Sequence, residues 1–212
     1  MKFEDWEPIY RKIITDMGYD RARDEQAAKL LSELLFSLEP SRIAPVSILT
    51  ELVQGKDILV CGNAPSLTDE LADVDPSGYC IIAADGAAAH IMDAGLVPHI
   101  IVTDLDGAVD SEMEASNRGA VMVVHAHGDN IDTVHAIVPR LYHIIGSTQA
   151  SPLENVYNFG GFTDGDRCVF LAVEFNAASM TLIGFDFHDT KVTSMKARKL
   201  DWARRLIKVA FE

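Results

Sequence analysis

The chain has 212 residues, 48% of them hydrophobic and 24% charged, the balance of a folded domain with room for one sizeable core. Its formal net charge of −14 argues against nucleic acid and against an anionic membrane, since both call for a basic partner surface. Three cysteines without C-x-x-C spacing make neither a disulfide framework nor a zinc site. The acidic start Met1-Lys2-Phe3-Glu4-Asp5-Trp6-Glu7 has no apolar signal segment, so a cytoplasmic protein without a membrane span is expected.

From Glu4 to about Leu38 the apolar residues recur at helical spacing. Trp6, Ile9, Tyr10, Ile13, Ile14 and Met17 belong to one helix, and Leu30, Leu31, Leu34 and Leu35 to a second that begins near Arg21, with Gly18 between them. Pro40 and Pro45 break the chain, and Val46 to Val53 adds a short apolar stretch before Gly55. Residues 1–54 therefore read as a helical lobe without a cluster of reactive side chains, suited to packing, to subunit contact in a homo-oligomer, or to covering one side of a site. After Lys56, short apolar strands alternate with helices. Strands are expected at 57–61, 79–84, 99–103, 121–125, 142–145, 156–159 and 180–183, with helices near 67–71, 87–94, 111–118, 131–138, 166–175 and 194–210. This alternation predicts an α/β domain over 55–212: a mostly parallel, Rossmann-like sheet with helices on both faces.

In such sheets ligands bind at the carboxyl ends of the strands. The residues just past each strand are Gly62, Asn63 and Ser66; Asp85; Asp104 and Asp106; His125, His127 and Asp129; Ser147 and Thr148; Gly160, Gly161 and Thr163; Asp186, His188 and Asp189. A fold needs turn residues there, but it does not need carboxylates after so many consecutive strands. The run Ile100-Ile101-Val102-Thr103-Asp104-Leu105-Asp106-Gly107 stands out. If it stays extended, Asp104 and Asp106 point to the same side, and two charges about 4 Å apart repel by roughly 1 kcal/mol in water and about 4 at an effective dielectric near 20. Such a pair calls for a cation, and oxygen ligands select magnesium. The plainer alternative is a helix cap at Asp104 and an Asx-turn at Asp106.

Gly62-Asn63-Ala64-Pro65-Ser66 is a strand-to-helix turn whose free amides can accept a phosphate. It matches neither G-x-G-x-x-G nor G-x-x-x-x-G-K-[ST], and Ser66 could serve simply as an N-cap. Gly160-Gly161-Phe162-Thr163-Asp164-Gly165-Asp166 is a second glycine-rich turn into a helix. His125-Ala126-His127-Gly128-Asp129-Asn130 mixes donors with an acid, which suits substrate contact or an outer-sphere metal role better than zinc ligation. Basic residues gather near the C-terminus, and Lys191, just beyond the last strand, is the candidate phosphate hook. Phe159, Phe162, Phe185 and Phe187 are candidates to stack on a ring.

Taken as a set, the motifs from Cys61 to Leu67, Ala84-Asp85-Gly86-Ala87, Val102 to Gly107, His125 to Asn130, Gly160 to Asp166 and Ile183-Gly184-Phe185-Asp186 resemble the archaeal 6-hydroxymethyl-7,8-dihydropterin pyrophosphokinases. The resemblance runs over roughly residues 55–212 and extends to the catalytic domain of thiamin pyrophosphokinases. It implies transfer of diphosphate from ATP to the hydroxymethyl group of the pterin, with release of AMP, in folate or methanopterin-type cofactor synthesis. It further implies that Asp85, Asp104 and Asp106 hold magnesium and act in catalysis with Asp129. Gly62, Asn63, Ala64, Ser66, Gly160, Gly161, Thr163 and Lys191 would then bind ATP, while His127, Asp129, Asn130, Phe185 and Asp186 contact the pterin. The chain lacks the β-rich second domain of thiamin pyrophosphokinases, which favours the pterin over thiamin.

Three other readings compete. Asp104-Leu105-Asp106-Gly107 looks like the nucleophile motif of haloacid-dehalogenase-type phosphatases, with Ser147, Asp186 and Asp189 as its later motifs, but Ala108 stands where that family has Thr. A D-x-D glycosyltransferase and a non-catalytic nucleotide-sensing module are the others.

Overall fold

The computed structural model describes residues 1–211; Glu212, the last residue of the expected catalytic domain, lies outside them. Among the described residues seven strands form one sheet in the order β6-β5-β4-β3-β2-β1-β7, and each pairing between neighbouring strands is parallel. They are β1 (Asp57–Cys61), β2 (Cys80–Ala84), β3 (Ile100–Thr103), β4 (Val121–Ala126), β5 (Ile144–Thr148), β6 (Val156–Tyr157) and β7 (Ser179–Ile183). The helices are α1 (Phe3–Met17), α2 (Arg21–Ser37), α3 (Ser47–Val53), α4 (Leu67–Ala72), α5 (Ala87–Asp93), α6 (Val109–Asn117), α7 (Ile131–Ile137), α8 (Asp164–Glu174) and α9 (Ser194–Ala210). The expected α/β alternation and both N-terminal helices are present. The last expected strands shift slightly: β5 starts two residues later than the pattern suggested, and β6 is only two residues long.

Strand order and helix placement follow from one handedness rule. Right-handed crossovers that advance steadily from β1 to β5 put α4 to α7 on the same face. Their apolar residues Leu67, Leu71, Ala87, Ala88, Ile91, Ala115 and Val134 pack there against Leu59, Ile81, Ile101, Met122 and Val124. The chain then reverses to place β7 beside β1, and α8 lies on the other face, with Cys168, Val169, Leu171 and Ala172 against Ile58, Val60, Ile82, Val102 and Val123. Strands apolar on both faces read as continuous hydrophobic runs, which is why they were visible in the sequence.

The N-terminal helical segment is distributed around this sheet. Ala27, Ala28, Leu31 and Leu35 of α2 join the first core, and Leu49 and Val53 of α3 join the second. Trp6, Tyr10, Ile13 and Met17 of α1 form a third cluster with Phe162, Phe170 and Leu206. Residues 1–54 precede the alternating region in the chain and share its cores. The α1–α2 turn thereby reaches the carboxyl ends of the strands. Among the described residues no helix is long and apolar enough to cross a membrane.

Candidate active site

The connection from β1 leads to α4 on one face of the sheet and that from β7 to α9 on the other, so the two loops part and leave a crevice at the strand ends. Together with the loops after β2, β3 and β4, the first turn of α8, the α1–α2 turn and one side of α9, they enclose a cleft of about 690 Å³. That volume is typical of small-molecule sites.

Its acidic centre is built by two strained turns. β3 stops at Thr103, and Leu105 takes a left-handed backbone with φ 65°. A branched residue holds that conformation only where its surroundings over-determine it. Here Leu105 is buried in the first core, and its amide donates to Thr103 Oγ1 at 2.8 Å. The turn, and not strand alternation, is what brings Asp104 and Asp106 to one side. Asp85 is also left-handed, φ 45°, and its Oδ1 accepts a hydrogen bond from Thr103 Oγ1 at 2.9 Å. Gly107 is required beside it, because a Cβ there would strike the Asp85 carboxylate. As a result, one ligand oxygen from each of Asp85, Asp104 and Asp106 lies within 4.8 Å of the others.

His127 completes the centre through its tautomer. Its Nδ1 accepts from the Asp129 amide at 3.2 Å, so the ring proton sits on Nε2, which donates to Asp104 Oδ2 at 3.1 Å. The other oxygen, Asp104 Oδ1, is buried without a hydrogen-bond partner. A buried orphan acceptor next to two further carboxylates suits a hard divalent cation. Asn130 holds the frame: its amide nitrogen donates to the carbonyls of Asp104 and His125, at 2.8 and 2.7 Å, and its oxygen accepts from the His127 amide at 2.9 Å.

The electrostatics are those of crowded carboxylates around one buried cation. Burial would raise the Asp104 carboxyl, but the His127 hydrogen bond and the Arg167 charge outweigh it and hold the group at about 2. Burial, then the charges of Asp104 and Asp85, push Asp106 up to about 6, partly offset by Lys199. Asp164 is raised well above the usual carboxylate range, by burial first and then by Asp104. Glu112, wholly buried behind Asp85 with both carboxyl oxygens unpartnered, is pushed by burial and by Asp85 to about 9. Arg167 is only 5% exposed; it pairs with Asp164 Oδ1 at 3.1 Å and donates to Gln149 Oε1 at 3.1 Å.

Of the residues expected to share the site, Gly62, Asn63, Ala64, Asp85, Asp104, Asp106, His127, Asp129, Thr163, Phe185 and Asp186 line the cleft. Others fall elsewhere. Ser66 makes no capping bond and does not line the cleft. Gly160 and Gly161 are buried where a Cβ would meet Phe170 or Arg167, so they serve close packing of the chain on α8. Asn130 spends its side chain on backbone groups. Lys191 is exposed outside the cleft, and Lys196 and Lys199 of α9 line it instead. Ser147 is buried, hydrogen-bonded to His125 Nδ1 at 3.2 Å and to the Val124 carbonyl at 3.3 Å, so it offers no hydroxyl to a phosphatase-like centre.

Comparison with known proteins shows the family. A family model described as 6-hydroxymethylpterin diphosphokinase MptE-like matches residues 37–192, which include the triad, the His127 loop and α8. The chain belongs to this family. A 6-hydroxymethyl-7,8-dihydropterin pyrophosphokinase of Pyrococcus furiosus is 40% identical, covering 98% of this chain and 93% of its own length. Proteins of the same name from Methanocaldococcus jannaschii and Methanothermobacter thermautotrophicus are each 37% identical, again over 98% of this chain. The MptE-like match leaves out the α1–α2 turn and α9, both of which line the cleft, while the full-length relatives align across nearly the whole chain.

Proposed function

We propose that this protein transfers the β,γ-diphosphate of ATP to the hydroxymethyl oxygen of 6-hydroxymethyl-7,8-dihydropterin. The O–P bond to the β-phosphorus forms, the bond to the α-phosphate oxygen breaks, the alcohol proton is lost, and AMP leaves. The observation that carries this reading is the Asp85–Asp104–Asp106 triad, with its orphaned Asp104 oxygen, in a ligand-sized cleft of a chain so closely related to named pyrophosphokinases.

Asp85, Asp104 and Asp106 would hold magnesium, which would supply charge neutralisation at the phosphate oxygens. His127 engages Asp104 Oδ2 and leaves Oδ1 without a protein partner. Lys199, whose charge already reaches Asp106, and Lys196 meet the phosphates from α9, the role that sequence position had suggested for Lys191. In the Gly62–Pro65 loop the Gly62 and Ala64 amides are spent on the Ile183 and Gly184 carbonyls and Pro65 has no N–H, so exposed Asn63 is left to add a neutral donor to ATP; Thr163 gives both its amide and its hydroxyl to Asp166. Asp129, exposed and 3.4 Å from Arg23, takes the alcohol proton or bonds the guanidine-like edge of the pterin.

In-line attack puts the incoming alcohol and departing AMP on opposite sides of the phosphorus, so the two ring systems occupy opposite ends of the cleft. Two aromatic pairs line it: Phe185–Phe187, with centroids 5.6 Å apart, and Tyr19–Phe162, 6.1 Å apart. The first pair lies between β7 and α9, which carries Lys196 and Lys199, and we assign that end to ATP, which moves Phe185 and Asp186 from the pterin contacts expected above to the ATP side. The second lies beside exposed Asp20 at the α1–α2 turn, where a carboxylate suits the donor edge of a pterin.

Phosphorus NMR of the protein with ATP, magnesium and the dihydropterin tests the reaction. AMP together with a diphosphate ester is the expected outcome. ADP with a monophosphate ester would mean an ordinary kinase, and orthophosphate alone a phosphatase.

A further inference from the structure

Asp24, on the first turn of α2, is 3% exposed and far in sequence from every residue of the acidic centre. Its carboxylate accepts three hydrogen bonds. The Gly128 amide donates to Oδ1 at 2.8 Å, and the Tyr10 hydroxyl and Gln149 Nε2 both donate to Oδ2 at 2.7 Å. Bonds to an ionised acceptor are the stronger kind, and all three are buried.

Two arms run from this hub to the reacting centre. In the first, Gly128 follows His127, whose ring holds Asp104; the Arg23 guanidinium also donates to the Gly128 carbonyl at 2.7 Å. Contact between α2 and this loop is tight, since a Cβ on Gly128 would lie 2.6 Å from Arg23 Cβ. In the second, Gln149 must turn its NH₂ to Asp24, which leaves Oε1 for Arg167, and Arg167 in turn pairs with Asp164. The orientation of one amide is thus dictated by a carboxylate on one side and a guanidinium on the other.

We propose that Asp24 is a positioning residue for the active site: its carboxylate sets the His127 loop and the Gln149–Arg167 pair, and through them Asp104 and Asp164. The N-terminal helices are then part of the catalytic apparatus. The claim that this affects metal binding rests on the reading of the acidic centre given above, whereas the claim about His127 does not.

The test follows from donor and acceptor matching. Asp24→Asn keeps an acceptor for Gly128 but turns an NH₂ towards that of Gln149 and towards the Tyr10 hydroxyl, which can rotate to accept from it. If Gln149 flips to satisfy it, Arg167 loses its acceptor. Adding Gln149→Glu restores acceptors to both neighbours at unchanged net charge. Two readouts on metal-free purified protein are used: the nitrogen chemical shifts of the His127 ring, and Mn²⁺ titration followed by electron paramagnetic resonance. D24N should shift the His127 signals and weaken Mn²⁺ about ten- to a hundred-fold, as loss of outer-sphere support does. The double variant should return both towards wild type. Unchanged His127 signals and Mn²⁺ affinity in D24N would overturn the proposal, as would a folded double variant no better than the single one. If D24N does not fold, the double variant decides: native ring signals support the hub, and displaced ones refute it. If wild type binds no Mn²⁺, the metal reading fails, and the ring signals still decide the role of Asp24.

Discussion

At the scale of single residues, the site separates what holds the fold from what holds a ligand. Asp106 repels Asp104 and Asp85 and gives the metal-free fold little in return. Asp106→Asn should therefore cut turnover by about a hundred-fold or more while leaving the melting temperature of the metal-free protein unchanged or raised, as paired activity and thermal-melt measurements would reveal. Glu112 behaves differently. Its carboxyl rises from an ordinary value near 4.5 to about 9, so the fold keeps a proton that the unfolded chain releases. The sign follows: stability is full below pH 4.5 and falls as pH rises towards 9. At about 1.4 kcal/mol per unit this loss is of order 3 kcal/mol between pH 4.5 and 7. Glu112→Gln, which carries no titrating proton, should flatten that slope in urea unfolding followed across pH. An unchanged slope would mean that Glu112 is ionised in the fold.

At the scale of elements, the two ends of the cleft should respond separately. Tyr19→Ala, on the α1–α2 turn, is expected to raise the KM for the pterin roughly ten-fold with little change for ATP, the size expected for a lost stacking partner. Lys199→Ala, on α9, should do the reverse, and steady-state kinetics with each substrate varied in turn would expose a swapped assignment. These elements also mark how far the sequence could be read. The strands were legible because parallel strands buried on both faces are unbroken apolar runs, and the triad was legible because the crossover rule sends the residues after consecutive strands to one edge. Lys191 lies near β7 in the sequence, but its backbone amide closes a turn on Asp189, and only the helical phase of α9 turns Lys196 and Lys199 to the cleft. Gly160 and Gly161 looked like a phosphate loop because tight packing on Phe170 and Arg167 calls for the same residue as close approach to a ligand. Arg167 and Asp24 left no sequence signal, since the pairing of Asp24 with Gln149 spans 125 positions and only the packing of α2 on the sheet brings them together.

At the scale of the molecule, the cation binding proposed for the triad would be linked to folding through the concentration of negative charge at one edge of the sheet, in a chain already at −14. Asp104 is ionised throughout the working range, held at about 2, whereas Asp106 keeps its proton up to about pH 6 against an ordinary value of 3.8. Between those two values the fold binds a proton that the unfolded chain lacks, so the metal-free protein loses stability from Asp106 as pH rises through this window. A divalent cation held by the triad would reverse the balance. It must displace that proton below pH 6 but finds the carboxylate ready above it, so its stabilising effect grows with pH. At a hundred times its Kd the ion contributes about 2.7 kcal/mol, or roughly 5 to 10 °C for a chain of this size. Thermal melts with and without Mg²⁺ should therefore differ by several degrees at pH 8 and much less at pH 5, and Asp106→Asn should remove the pH dependence of that difference. An equal shift at both pH values would place the ion somewhere other than the triad.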